Sequence, residues 1–149
     1  MGNPLIDYGS LNRLRASVVW TNHPELNVTP AFLGDEAIRL SLDGASVDYL
    51  PQLAGMVTSP AVYMGVTVSI NLVKTQQLSN LYKLQMESDA RIQDGTVRPD
   101  VGAGGLSPYG IINCAIMGVR ELGFGGRDAG FMVSIRGYYP VNNALWAAA

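Results

Sequence analysis

An antiparallel β-sandwich or barrel, closed on one side by one principal α-helix, is the fold class this sequence predicts. Three observations lead there. Val66, Val68, Ile70 and Leu72 alternate with Thr67, Ser69 and Asn71, the period of a strand with one apolar and one small polar face. Directly afterwards Leu78, Leu81, Tyr82 and Met86 recur at spacings of three and four, which lines one side of a helix. Two further pairs of alternating segments, one around Asp43-Gly44 and one near the C-terminal end, read as hairpins and make the pattern mainly β.

Taken in chain order, Ala16, Val18 and Trp20 alternate with Arg15 and Ser17 as a short first strand. In AIRLSLDGASVDYL the Asp43-Gly44 pair is a two-residue turn signal, because a type I′ turn needs positive φ at both central positions. That turn sets Ile38 opposite Tyr49, Leu40 opposite Val47 and Leu42 opposite Ala45, with Arg39 facing Asp48 and Ser41 facing Ser46 on the other side. The segment PQLAGMVTSP, from Pro51 to Pro60, is apolar without a period, as expected of a loop on the core or an arm that packs on a neighbour. Thr75 or Ser79 is the expected N-cap of the helix, since either hydroxyl can accept from a free first-turn amide. Gly102 to Gly110 reads as a linker by composition. The last hairpin joins Ile111–Leu122 to Phe131–Tyr139 across the loop GFGGRDAG, whose length and glycines mark a mobile surface excursion.

The 149 residues are read as one domain, 1–149, long enough to bury roughly 70% of the unfolded surface without a disulfide or metal. The lone Cys114, in IINCAIM, is expected as a small buried hydrophobe with no neighbour to activate it. No run of about 18 apolar residues is present, so no membrane span is expected, and the chain reads as a soluble protein made in the cytoplasm. The ten basic residues are scattered and the net charge is −2, which does not suit tight phosphate binding. With 48% hydrophobic and only 15% charged residues, much of the surface is expected to meet other subunits.

Catalytic chemistry finds little support. His23 is the only histidine and sits beside Pro24 in TNHPEL, where an exposed turn residue is the plainest reading. No paired Cys or His spacing suits zinc and no Asp-rich loop suits calcium. Asp128 and Ser107 stand where a dinucleotide fingerprint would need its third glycine, and no P-loop lysine follows a glycine cluster. Glu25, Glu36, Glu87 and Glu121 are far apart in sequence and read as solvated side chains. The expectation is therefore a non-enzyme with no cofactor, no metal and no small-molecule substrate.

Several phrases in order, NPLIDYGSLNRLRASVVW, VTSPAVYMGVTVSINLVKTQQLSNLYKLQMES, RPD at Arg98 to Asp100, NCAIMGVRELGFGG and RGYYPVNNALW, together resemble the tail tube proteins of tailed bacteriophages, particularly those with contractile tails. The likeness spans nearly the whole chain. It implies a β-sandwich or barrel with a flanking helix, homo-hexameric rings stacked into a hollow tube in the virion tail, and a lumen through which DNA passes without specific binding. Tail sheath, baseplate and tail-terminator proteins would be its neighbours. On this reading Ser41, Asp43, Asp48, Thr67, Ser69 and Asn71 contribute to the channel wall, and Leu53, Met56 and Val57 pack between subunits or rings. The rival readings are a baseplate or tail-terminator ring protein and, in a different class, a small ligand-binding β-barrel.

Overall fold

The computed structural model describes residues 16–98, 107–120 and 122–146. Among these the chain runs β1 (Ser17–Trp20), β2 (Leu33–Asp43), β3 (Val47–Gln52), β4 (Gly55–Pro60), β5 (Tyr63–Val73), α1 (Gln77–Ser88), β6 (Arg91–Arg98), β7 (Tyr109–Val119), β8 (Gly130–Pro140) and a short α2 (Asn143–Trp146). Six strands form one antiparallel sheet in the order β1-β6-β7-β8-β5-β2, curled into a half-barrel, while β3 and β4 pair only with each other.

The alternation in β5 sets the two sides of this sheet. Val66, Val68, Ile70 and Leu72 are buried, and so are Ile135, Val133 and Phe131 on β8, the register partners of Val68, Ile70 and Leu72. Ile111, Cys114 and Ile116 on β7, Ile92 and Val97 on β6, and Val18 and Trp20 on β1 continue that inner side. The half-barrel is filled by α1, which buries Leu78 and Tyr82 against it. A polar thread runs through this core: Trp20 Nε1 donates to the Tyr82 hydroxyl at 2.8 Å, and that hydroxyl donates to the Leu26 carbonyl at 2.7 Å. Burial pushes the Tyr82 phenol well above its ordinary range, with the Trp20 hydrogen bond opposing, so it stays a donor. Gly95 makes room for the indole, because a Cβ there would lie 2.3 Å from the Trp20 ring.

The strands curl where they are irregular. Register shifts interrupt β2 between Leu33 and Ile38, β6 on both sides of Gln93, and β7 between Ile112 and Ala115. Ala37, Gln93 and Asn113, all non-glycine residues with positive φ, sit at these shifts. Bulges of this kind bend a strand and raise its twist, which is what closing a sheet requires.

The switch from β5 to α1, the first strand and the β7–β8 pairing stand where the sequence puts them. Four readings are corrected. The Asp43-Gly44 hairpin does not form: β2 pairs with β5, setting Ile38 opposite Ile70, Leu40 opposite Val68, Leu42 opposite Val66, Arg39 opposite Ser69 and Ser41 opposite Thr67. Gly44 has positive φ (86°) but Asp43 does not, so the type I′ turn is absent, and β5 offers β2 the better apolar ladder. PQLAGMVTSP is not a loop on the core but most of the β3–β4 hairpin, turning at Leu53 and Ala54 with its apolar side chains exposed. Gln76, in extended conformation, is the N-cap of α1 and makes no side-chain cap bond, while Ser79 lies inside the helix and its Oγ donates back to the Val73 carbonyl at 2.8 Å. Of the segment read as a linker, 102–106 lie outside the described residues and Tyr109-Gly110 open β7.

Candidate functional site

Two surfaces stand out, both made by the same alternation that builds the core. The first is the outward side of the sheet. Because directly opposed residues share a face, the register places Ser41, Thr67, Arg136, Ala115 and Arg91 on one transverse row across β2, β5, β8, β7 and β6. Arg39, Ser69, Ser134 and Gly118 form the next row, and Asp43, Gly65, Tyr138 and Ile112 the row on the other side. Asn71 faces Met132 further along β5. Five of the six residues read as channel-lining, Ser41, Asp43, Thr67, Ser69 and Asn71, thus share this face. Asp48 does not: it lies on β3 opposite Ser59, because β3 has left the sheet.

Two arginines on this face are paired with aspartates, whereas Arg39, one row away, takes part in none of the ion pairs among the described residues. Thr67 Oγ1 donates to Asp43 Oδ2 at 3.1 Å, and the same carboxylate oxygen is 3.6 Å from Arg136 Nη2. Asp89, the C-cap of α1, accepts at Oδ1 from the Arg91 amide (3.1 Å) and Nε (3.1 Å), and at Oδ2 from Nη2 (3.3 Å). The hydrogen bonds from Arg91 hold the Asp89 carboxyl below its ordinary value, and Asp89 in turn raises the guanidinium's. Both pairs face solvent, so they shape local charge more than stability.

The second surface is the hairpin of β3 and β4. Val47/Pro60, Tyr49/Thr58 and Pro51/Met56 are opposed pairs on one side, and Asp48/Ser59, Leu50/Val57 and Gln52/Gly55 on the other. Both sides carry apolar side chains open to solvent, with Met56 68% and Val57 51% exposed and Leu53 fully so at the turn. Asp48 is the single charge between Val47 and Pro60. The hairpin is fixed at its root: the Ala61 amide donates to the Ser46 carbonyl, and Asn142 Nδ2 donates to both the Ser46 carbonyl (3.0 Å) and the Ala61 carbonyl (2.7 Å). Asn142 takes positive φ (54°) to do so, a conformation that asparagine tolerates better than most residues. Beside this root the rings of Tyr63 and Tyr138 meet edge to face, 4.8 Å apart.

The Gly-rich excursion between β7 and β8 is tied down rather than loose. Lys74 Nζ donates to the carbonyls of Gly123 and Asp128 (2.8 Å for the latter) and stands 5.4 Å from the centre of the exposed Phe124 ring. Nothing in the sequence pattern singles out Lys74 or Asn142, since each acts on backbone carbonyls more than 45 positions away.

The residues screened for chemistry are dispersed. His23 Nδ1 lies 3.4 Å from Glu25 Oε1 at the surface, and Glu87 pairs with Lys83 at 3.6 Å along α1. Nothing is described of the Glu36 side chain, and Glu121 lies outside the described residues. Cys114 is buried, and its thiol is pushed up to about 12 by desolvation and by the nearby charge of Asp94, which makes it a poor nucleophile. Among the described residues no three His, Cys, Asp or Glu side chains gather as a metal site, and no helix is long and apolar enough to cross a membrane.

Fold and surfaces together define a class: a mainly β half-barrel, filled by a helix, that presents a polar sheet face and a projecting apolar hairpin. The chain matches no family model and no curated protein.

Proposed function

We propose that this protein is the structural subunit of a hollow tube of the phage tail kind, in which hexameric rings stack around a lumen that conducts DNA into the host cell. The observation that carries the reading is the β3–β4 hairpin. A lone two-stranded hairpin is marginal in water, and one with apolar side chains on both sides is an association site left open. Its rooted geometry suits a contact repeated identically from copy to copy, which closes rings or propagates stacks according to whether the rotation closes.

The edge of the sheet gives a second support. Among the described residues β2 has a partner on one side only, although it runs for 11 residues. Long open edges invite pairing, and a neighbour's strand is one way to cover them. In this reading the face bearing Ser41, Asp43, Thr67, Ser69 and Asn71 is the lumen wall, while Leu53, Met56 and Val57 contact the adjoining subunit or ring. The tail sheath, baseplate and tail-terminator proteins are then its neighbours in the virion.

Negative-stain microscopy of the purified protein at increasing concentration tests the proposal. Long hollow tubes are expected. Isolated rings that never extend would instead indicate a baseplate or terminator role, and monomers that bind a small molecule in a cavity would indicate a ligand-binding barrel. Replacing Thr67 and Ser69 together by Lys tests the lumen assignment separately: DNA ejection should slow, and unchanged ejection would remove this face from the channel.

A further inference from the structure

On the outward sheet face, Arg136 and Arg91 stand on either side of Ala115 in one transverse row, two strand spacings or about 10 Å apart. Each has its own aspartate. Asp43 reaches Arg136 from β2, across the intervening β5, and is steadied there by Thr67. Asp89 reaches Arg91 from the end of α1 and is steadied by the Arg91 amide. Neither aspartate is needed to fill the core, because both lie at the solvent surface.

We infer that Asp43 and Asp89 are charge masks: they cancel the two in-row arginines and so weaken the hold of this row on a passing polyanion, double-stranded DNA above all. The inference rests on the tube reading for the identity of that polyanion. Exposed ion pairs contribute little to folding, so the pairing is better explained by what it does to the field outside the sheet. A bare arginine neutralises a phosphate and releases counterions, and each such contact steepens the salt dependence of DNA binding by about 0.9 in log–log slope. Two uncovered arginines would then add about 1.8.

The test measures binding of a fluorescent double-stranded DNA oligonucleotide by anisotropy across a salt series, for the wild type, Asp43→Asn, Asp89→Asn, the double variant, and the double variant with Arg91→Gln and Arg136→Gln added. Asparagine keeps the shape and removes the charge. Each single variant should steepen the slope by about 0.9, the pair by about 1.8, and removal of the arginines should return it to the wild-type value. An unchanged slope, or a gain that survives loss of both arginines, would overturn the masks. Should one single variant fail to fold by circular dichroism, the other carries the test alone. Negative staining of the same wild-type preparation keeps the two proposals apart: tubes without a slope gain overturn the masks only, and a slope gain without tubes overturns the tube only.

Discussion

Replacing Met56 and Val57 together by Asp should abolish assembly while leaving the subunit folded. With Met56 68% and Val57 51% exposed, and full burial of such a side chain worth about 1.5–3 kcal/mol, covering what is open gains about 1–2 kcal/mol at Met56 and about 1 kcal/mol at Val57. Losing about 2–3 kcal/mol per copy raises the concentration needed for assembly by roughly 30- to 150-fold, at 1.4 kcal/mol per decade. Two carboxylates forced into the contact add a desolvation penalty on top, so this is a lower bound. Sedimentation velocity over a concentration series reads the shift, and a urea melt of the dilute protein reads the subunit. The two residues lie on opposite sides of the ribbon, Met56 facing Pro51 and Val57 facing Leu50, so one variant blocks both sides. Unaltered assembly would refute the hairpin as a contact. A large loss of subunit stability would refute its independence from the core, since surface changes away from special features usually stay within about 0.5 kcal/mol.

Four other outcomes follow from the described geometry. Tyr82→Phe strips the buried Trp20 N–H and Leu26 carbonyl of their shared partner and should cost about 2–4 kcal/mol in a denaturant melt, with the fold retained. Cys114 holds its proton in the folded state up to about pH 12, against an ordinary 9.0, so the unfolded chain binds fewer protons between those values and stability should fall as pH rises from about 9 to 12; Cys114→Ala should flatten that fall. The same thiol should resist alkylation at pH 8 until the protein is unfolded. Asn142→Ala removes both side-chain bonds at the hairpin root and should raise hydrogen exchange at the Ala61 amide and along β3 and β4, while β5 and β8 remain protected.

The sequence discloses those parts of the fold in which local pattern and tertiary environment agree. β5 is apolar on one side because one side meets the core, and α1 follows at once with a stripe that meets the same core. The partner of β2 was not legible. Ile38, Leu40 and Leu42 suit any strand of matching alternation, and the Asp43-Gly44 signal is local, whereas the ladder with β5 is not. The β3–β4 pairing is hidden for the opposite reason: although Val47 and Tyr49 alternate with Asp48, the segment from Pro51 to Pro60 is apolar on both sides with no two-residue period, and the turn at Leu53-Ala54 has no glycine or asparagine at its centre. Most of the polar face could be read from β5, but the Arg136–Asp43 pair could not, since it joins strands that do not touch in the sheet order.

The root of the ribbon has a consequence for biosynthesis. The amide that secures it comes 96 positions after the Ser46 carbonyl and 81 after that of Ala61, beyond the final strand of the sheet. Until Asn142 has emerged from the ribosome and docked, a growing polypeptide holds the ribbon's root by the Ala61–Ser46 backbone bond without these two side-chain bonds. The hairpin therefore takes its full set of root bonds only after the strand that precedes Asn142 has been made.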